Sequence, residues 1–116
     1  MIDWERVAEL RSEIGDDGFA EVLDLFLDEV EDAVACLGQP TRKLSDDLHF
    51  LKGSAWNFGF RQFGEMCQEG ERALATGSVS AVDSSAIREC YDISKREFMA
   101  RVAGYCSGCL SHPAAA

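Results

Sequence analysis

The residues best suited to chemistry cluster around one histidine. From His49, the positions i−4, i+3, i+4 and i+7 are Ser45, Lys52, Gly53 and Trp56, which share one stripe if the segment is helical. A neutral imidazole is itself a nucleophile and can form a covalent intermediate. Accepting a phosphoryl group requires an exposed nitrogen, in-line access and positive charge near the transferred oxygens. His49, Gly53 and Lys52 could supply these in turn. Gly53 in mid-helix costs about 0.8–1 kcal/mol relative to Ala, so helix formation does not favour it. It removes a side chain one turn above the imidazole, where a large partner could approach. Trp56 would be an exposed ring on the same face, of the kind that anchors interfaces. The bland alternative is a surface histidine beside a chance glycine. The other histidine, His112, belongs to a terminal Cys106-x-x-Cys109-x-x-His112, which looks like half a zinc site or a redox pair. No second ligand pair with matching spacing accompanies it, and the segment reads as a flexible tail over about 107–116.

For this stripe to face outward, the rest of the chain must form helices that bury their other faces. Asp3 is a candidate N-cap for a short helix carrying Trp4, Val7, Leu10 and Ile14 up to Gly15. Phe19, Val22, Leu23, Phe26, Leu27, Val30, Val34 and Leu37 form the face of a second helix, with Gly38 as its C′ residue. Leu25 lies off that stripe, so the face is broad. Thr41 is the expected cap of a third helix, bearing Leu44, Leu48, Leu51, Ala55 and Phe58 and stopping at Gly59. At ~100° per residue, the centre of that apolar stripe lies about 140° from His49, which therefore points to solvent. A fourth helix runs from about Phe60 through Phe63, Met66, Cys67, Gly70 and Leu74 to Gly77. Asp83 or Ser84 caps a fifth, with Ile87, Tyr91, Ser94, Phe98, Val102 and Tyr105 on one face. No segment alternates strictly enough to be a strand. The expected fold is all-α: an antiparallel up-down-up-down four-helix bundle with a short extra N-terminal helix, residues 1–116 forming a single domain.

Composition narrows the class further. The chain has 116 residues, 47% hydrophobic and 28% charged, which fits a globular domain with a real core. No apolar run approaches a membrane span, and no signal peptide is evident, so a soluble cytoplasmic protein is expected. The net charge is −10, and all of the excess sits in residues 1–38, where 12 acids face only Arg6 and Arg11. Such a surface disfavours nucleic acid and anionic lipid. It either steers a basic partner or simply solvates one helix face. Five cysteines fit reduced thiols, with Cys36, Cys67 and Cys90 expected as small core residues. A small, highly acidic bundle is expected to be a monomer.

The run Leu48-His49-Phe50-Leu51-Lys52-Gly53-Ser54-Ala55-Trp56-Asn57-Phe58-Gly59 closely resembles the motif of histidine-containing phosphotransfer (HPt) domains. Phe63, Met66-Cys67 and Glu71 resemble that family's second stretch on the following helix. The motif-level resemblance covers residues 45–71, and the helix layout agrees over about 19–106. It implies that His49 is phosphorylated, at its outward Nε2. Lys52 would neutralise phosphoryl oxygens, and Gly53 would leave room for the partner. Gln68 or Glu71 would orient the ring, and nothing in the sequence chooses between them. Ser45 and Trp56 complete the expected docking or orienting set. The implied partners are response-regulator receiver domains and a hybrid sensor histidine kinase, with Mg²⁺ held by the receiver and no cofactor of the chain's own. Trp56 departs from the family, which usually has a smaller residue there. Phe60 stands where Ala is typical and is expected to pack in the bundle end. No nucleotide loop or kinase motif is present, so the chain is expected to act as a relay and not as an enzyme. The competing reading is an interaction module that binds a receiver or kinase without transferring phosphate. A third is an accessory that hydrolyses a receiver's phosphate, with Gln68 placing the water.

Overall fold

The computed structural model describes residues 2–39, 43–77 and 82–105, with side chains described through residue 101. Among these residues there are four helices and no strand: α1 (Trp4–Ala35), α2 (Leu44–Asn57), α3 (Arg61–Ala75) and α4 (Ser84–Tyr105). None is long and apolar enough to cross a membrane. Thr41 and the Cys106, Cys109 and His112 tail lie outside the described residues.

Local chemistry sets most of the helix ends. Asp3 accepts from the Arg6 N–H at 3.2 Å and starts α1, and Asp83 accepts from the Ala86 N–H at 3.0 Å and starts α4. At the far end of α1, Arg88 reaches across from α4 and donates to the carbonyls of Val34 (3.1 Å) and Leu37 (2.6 Å). A cation there meets both the last carbonyls of the helix and the negative end of its dipole. α2 starts at Leu44, with Lys43 in the cap position and no side-chain cap.

The two helices expected over residues 3–37 are continuous as α1, but Gly15 breaks the helical geometry between them at φ 76, ψ 167. That region of backbone space is essentially restricted to glycine. The break lets residues 4–14 pack across the α2–α3 turn as an arm. Trp4 stacks on Phe98 at 5.6 Å, the Asp3 N–H donates to the Gly59 carbonyl at 2.7 Å, and Arg6 donates to Asn57 at its carbonyl (3.0 Å) and Oδ1 (2.8 Å). Gly59, at φ 78, turns the chain from α2 into α3, and a Cβ there would sit 2.6 Å from the Asp3 carbonyl oxygen. Turn and arm therefore require the same glycine.

The core is largely aromatic. Fully buried Phe60 lies 5.1 Å from Phe26, 5.1 Å from Phe98 and 6.2 Å from Tyr91, and Phe58 stacks on Phe26 at 4.4 Å. Phe60 thus packs in the bundle end, as expected. Three expected core positions are corrected. Ile14 and Val22 are exposed, because the bend at Gly15 and the breadth of the α1 face leave them uncovered, and Cys36 at the end of α1 is only half-buried. Cys67 and Cys90 are buried; burial first, with Cys90 and Glu71 adding to it, pushes the Cys67 thiol up to about 12. It is inert at neutral pH.

Candidate phosphoacceptor site

The site is built where α2 and α3 lie closest. Fully buried Leu48 packs against Gly70, where an added Cβ would stand 2.8 Å from Leu48 Cδ1. Farther along, Trp56 lies over Gly64, where a Cβ would come within 2.3 Å of the indole Nε1. The pairs Leu48–Gly70 and Trp56–Gly64 show that the two helices run antiparallel. Two small residues on α3 let them approach, and the approach brings α3 side chains under the histidine stripe.

His49 projects outward, its side chain 73% exposed, and Glu71 comes up beside it from α3. Glu71 Oε2 lies 3.1 Å from His49 Nδ1, and Glu71 Oε1 lies 2.8 Å from Lys52 Nζ. One carboxylate therefore bridges the imidazole and the ammonium. The ion pair with Lys52 is the largest influence on its acidity; burial opposes it and the His49 bond reinforces it, and the net holds Glu71 below the usual carboxylate range. An ionised carboxylate can only accept, so Nδ1 carries the ring proton in the neutral imidazole. The lone pair is then on Nε2, the nitrogen turned away from Glu71.

Of the two candidates for orienting the ring, the structure brings Glu71 to it, and no hydrogen bond joins Gln68 to His49. Gln68 is half-buried on α3, one turn before Glu71. Ser45 is exposed one turn before His49 and makes no hydrogen bond to it; it shares a shallow groove with Leu44, Glu71 and Leu74. Gly53 is uncovered among the described residues, none of which comes within 4 Å of a Cβ placed there. Lys52 is held by Glu71, its Nζ also 5.9 Å from the Trp56 ring centroid. Trp56 is 39% exposed, less free than expected because one edge rests on Gly64. Among the described residues, no cluster of three or more His, Cys, Asp or Glu is placed to hold a metal.

Some contributors were not anticipated. Gly64 and Gly70 set the helix spacing; two interior glycines in one helix, each unfavourable by about 1 kcal/mol, were the available signal. On the α1 side, exposed Val22 and Leu25 share a shallow depression with Ser54 and Asn57, and exposed Phe50 adjoins His49 in sequence.

A family model described as the Hpt domain matches residues 21–97 of the chain, a span that includes α2, α3 and the whole His49 site. No curated protein and no solved structure matches it.

Proposed function

The chain belongs to the Hpt domain family, and from that premise we propose that it is a phosphorelay carrier that takes a phosphoryl group on His49 Nε2 from an aspartyl phosphate of a response-regulator receiver and returns it to the same or another receiver. At family level, Hpt domains serve phosphotransfer signalling as carriers and are not enzymes with a catalytic site of their own. The observation that supports the reading is the Glu71 bridge: with the Nδ1–H donated to a carboxylate, the lone pair is on Nε2 of a side chain that is 73% exposed.

In the forward step, the Nε2 lone pair attacks phosphorus in line. The bond from phosphorus to the receiver's aspartate oxygen breaks, and its electron pair stays on that carboxylate. No proton leaves the ring. Nδ1–H remains on Glu71, whose charge meets the positive charge developing on the phosphorylated imidazole. Lys52, beside Glu71, faces the transferred oxygens, and the reverse step uses the same groups. Any Mg²⁺ in the exchange belongs to the receiver.

Gly53 supports a docked partner. None of the described residues requires a glycine there, yet helix formation disfavours it. Exposed Val22 and Leu25, which share a depression with Ser54 beside Gly53, and exposed Phe50 offer apolar surface for such a partner, and Ser45 is exposed one turn before His49. In this reading residues 1–116 act as one up-down-up-down bundle domain whose N-terminal segment is an added helical arm, working as a cytoplasmic monomer. A hybrid sensor kinase carrying such a receiver is the expected upstream partner.

The test mixes the protein with labelled phospho-receivers beside a His49→Gln control. Acid-labile, base-stable label on wild type alone is expected. Receiver binding that survives His49→Gln, with no phosphate moving in either direction, would establish a binding-only module instead. Loss of receiver phosphate with no phosphohistidine trapped would point to hydrolysis.

A further inference from the structure

Lys52 stands between two groups: Glu71 Oε1, 2.8 Å from its ammonium, and the Trp56 ring, 5.9 Å away at its centroid. Trp56 follows Lys52 by four positions, so the two side chains neighbour each other on α2. What fixes the indole is the other helix. It lies over Gly64 so closely that a Cβ there would come within 2.3 Å of Nε1 and 2.4 Å of Cδ1. Gly64 is thus a seat for the ring and not a turn residue.

We propose that Trp56, seated on Gly64, is a positioning residue for Lys52: its ring walls in the ammonium and keeps it beside Glu71, within reach of a phosphoryl group on His49. This rests on the phosphotransfer reading. With the dianionic phosphoryl group in place, Lys52 is shared between that group and Glu71, and the indole face gives the cation a partner that does not compete for its hydrogen bonds. Without the ring, the ammonium on its flexible four-carbon stem spreads over many rotamers, and fewer have it in place when phosphorus is attacked.

The test uses the whole chain with Trp56→Ala, Trp56→Phe, Gly64→Ala and the Trp56→Ala/Gly64→Ala double variant, and reads two quantities. The first is the proton chemical shift of the Lys52 ε-methylene, which needs no phosphate. Ring current from a seated indole should move it away from the value of a free lysine. That displacement should vanish in Trp56→Ala, shrink in Gly64→Ala, and partly survive in Trp56→Phe. The second is phosphoryl uptake against receiver concentration. The saturating rate should fall about two- to fivefold in Trp56→Ala, as expected for losing a partly exposed cation–π contact. Half-saturation should stay nearly constant, Trp56→Phe should recover most of the rate, and Gly64→Ala should add little in the Trp56→Ala background. A free-lysine shift in wild type would overturn the proposal. So would a Trp56→Ala effect confined to half-saturation, which would make Trp56 a docking residue only. Absence of label from wild type would sink the phosphotransfer reading, and the Lys52 shifts would still decide whether Trp56 places the lysine.

Discussion

At the scale of single residues, Glu71 performs two tasks with one carboxylate. Oε2 fixes the tautomer of His49, and Oε1 holds Lys52. Glu71→Ala should slow phosphoryl uptake about 10- to 100-fold, the equivalent of a charge-assisted hydrogen bond of about 1.5–3 kcal/mol, while circular dichroism stays unchanged. Because the Lys52 and His49 bonds outweigh burial and lower the Glu71 pKa in the folded state, its contribution to stability is complete above the unfolded carboxylate value of about 4.3 and is lost as pH falls through the lowered folded value. Urea midpoints of wild type and Glu71→Gln should therefore differ throughout pH 5 to 7 and converge in stronger acid. A gap that did not close in stronger acid, below about pH 4, would mean the bridge does not hold the charge. The histidine, lysine and glycine were legible in sequence because each is an anomaly on its own helix. The choice of Glu71 over Gln68 was not, because it depends on how α3 is turned against α2, which no pattern within α3 encodes.

At the scale of elements, glycines in α2 and α3 should respond oppositely to the same substitution. Gly53→Ala meets nothing within 4 Å and should stabilise the fold by about 0.8–1 kcal/mol. Gly70→Ala places a Cβ 2.8 Å from buried Leu48. Overpacking of this kind costs about 1–3 kcal/mol, so a net loss remains after the helix-propensity gain. It should also slow uptake by moving Glu71 away from the imidazole. Denaturant melts of the two variants decide this, and equal effects would contradict the close-approach account. Gly53→Gln should weaken receiver docking without harming the helix. Helix punctuation was readable because glycines and acidic caps act locally: Asp3, Asp83 and Gly59 do what their types suggest. The outward turn of Ile14 and Val22 was not readable, since apolar spacing alone does not reveal where neighbouring helices stop covering a face.

At the scale of the whole molecule, the arm before Gly15 ties α1 to the end of α2. Arg6 grips Asn57, one position before the Phe58-Gly59-Phe60 turn, whose phenylalanines join the aromatic core. Gly15→Ala should cost about 1–3 kcal/mol, because φ 76, ψ 167 is closed to side chains, and should loosen this clamp with little effect on α2 helicity. The bend was visible in sequence as a glycine between two amphipathic stretches, but its direction was not, because Trp4 finds Phe98 only once α4 is in place. The all-helical architecture was legible; the packing that turns it into a site came from contacts distant in sequence.

In the proposed relay His49 carries phosphate on Nε2 while Nδ1 keeps its proton, donated to Glu71. Long-range ¹⁵N–¹H correlation of the His49 ring, before and after phosphorylation by a phospho-receiver, tests it most directly. The expected result is the Nδ1–H tautomer beforehand and a phosphorus-coupled Nε2 afterwards. Phosphorus on Nδ1, or a resting ring protonated at Nε2 alone, would contradict it.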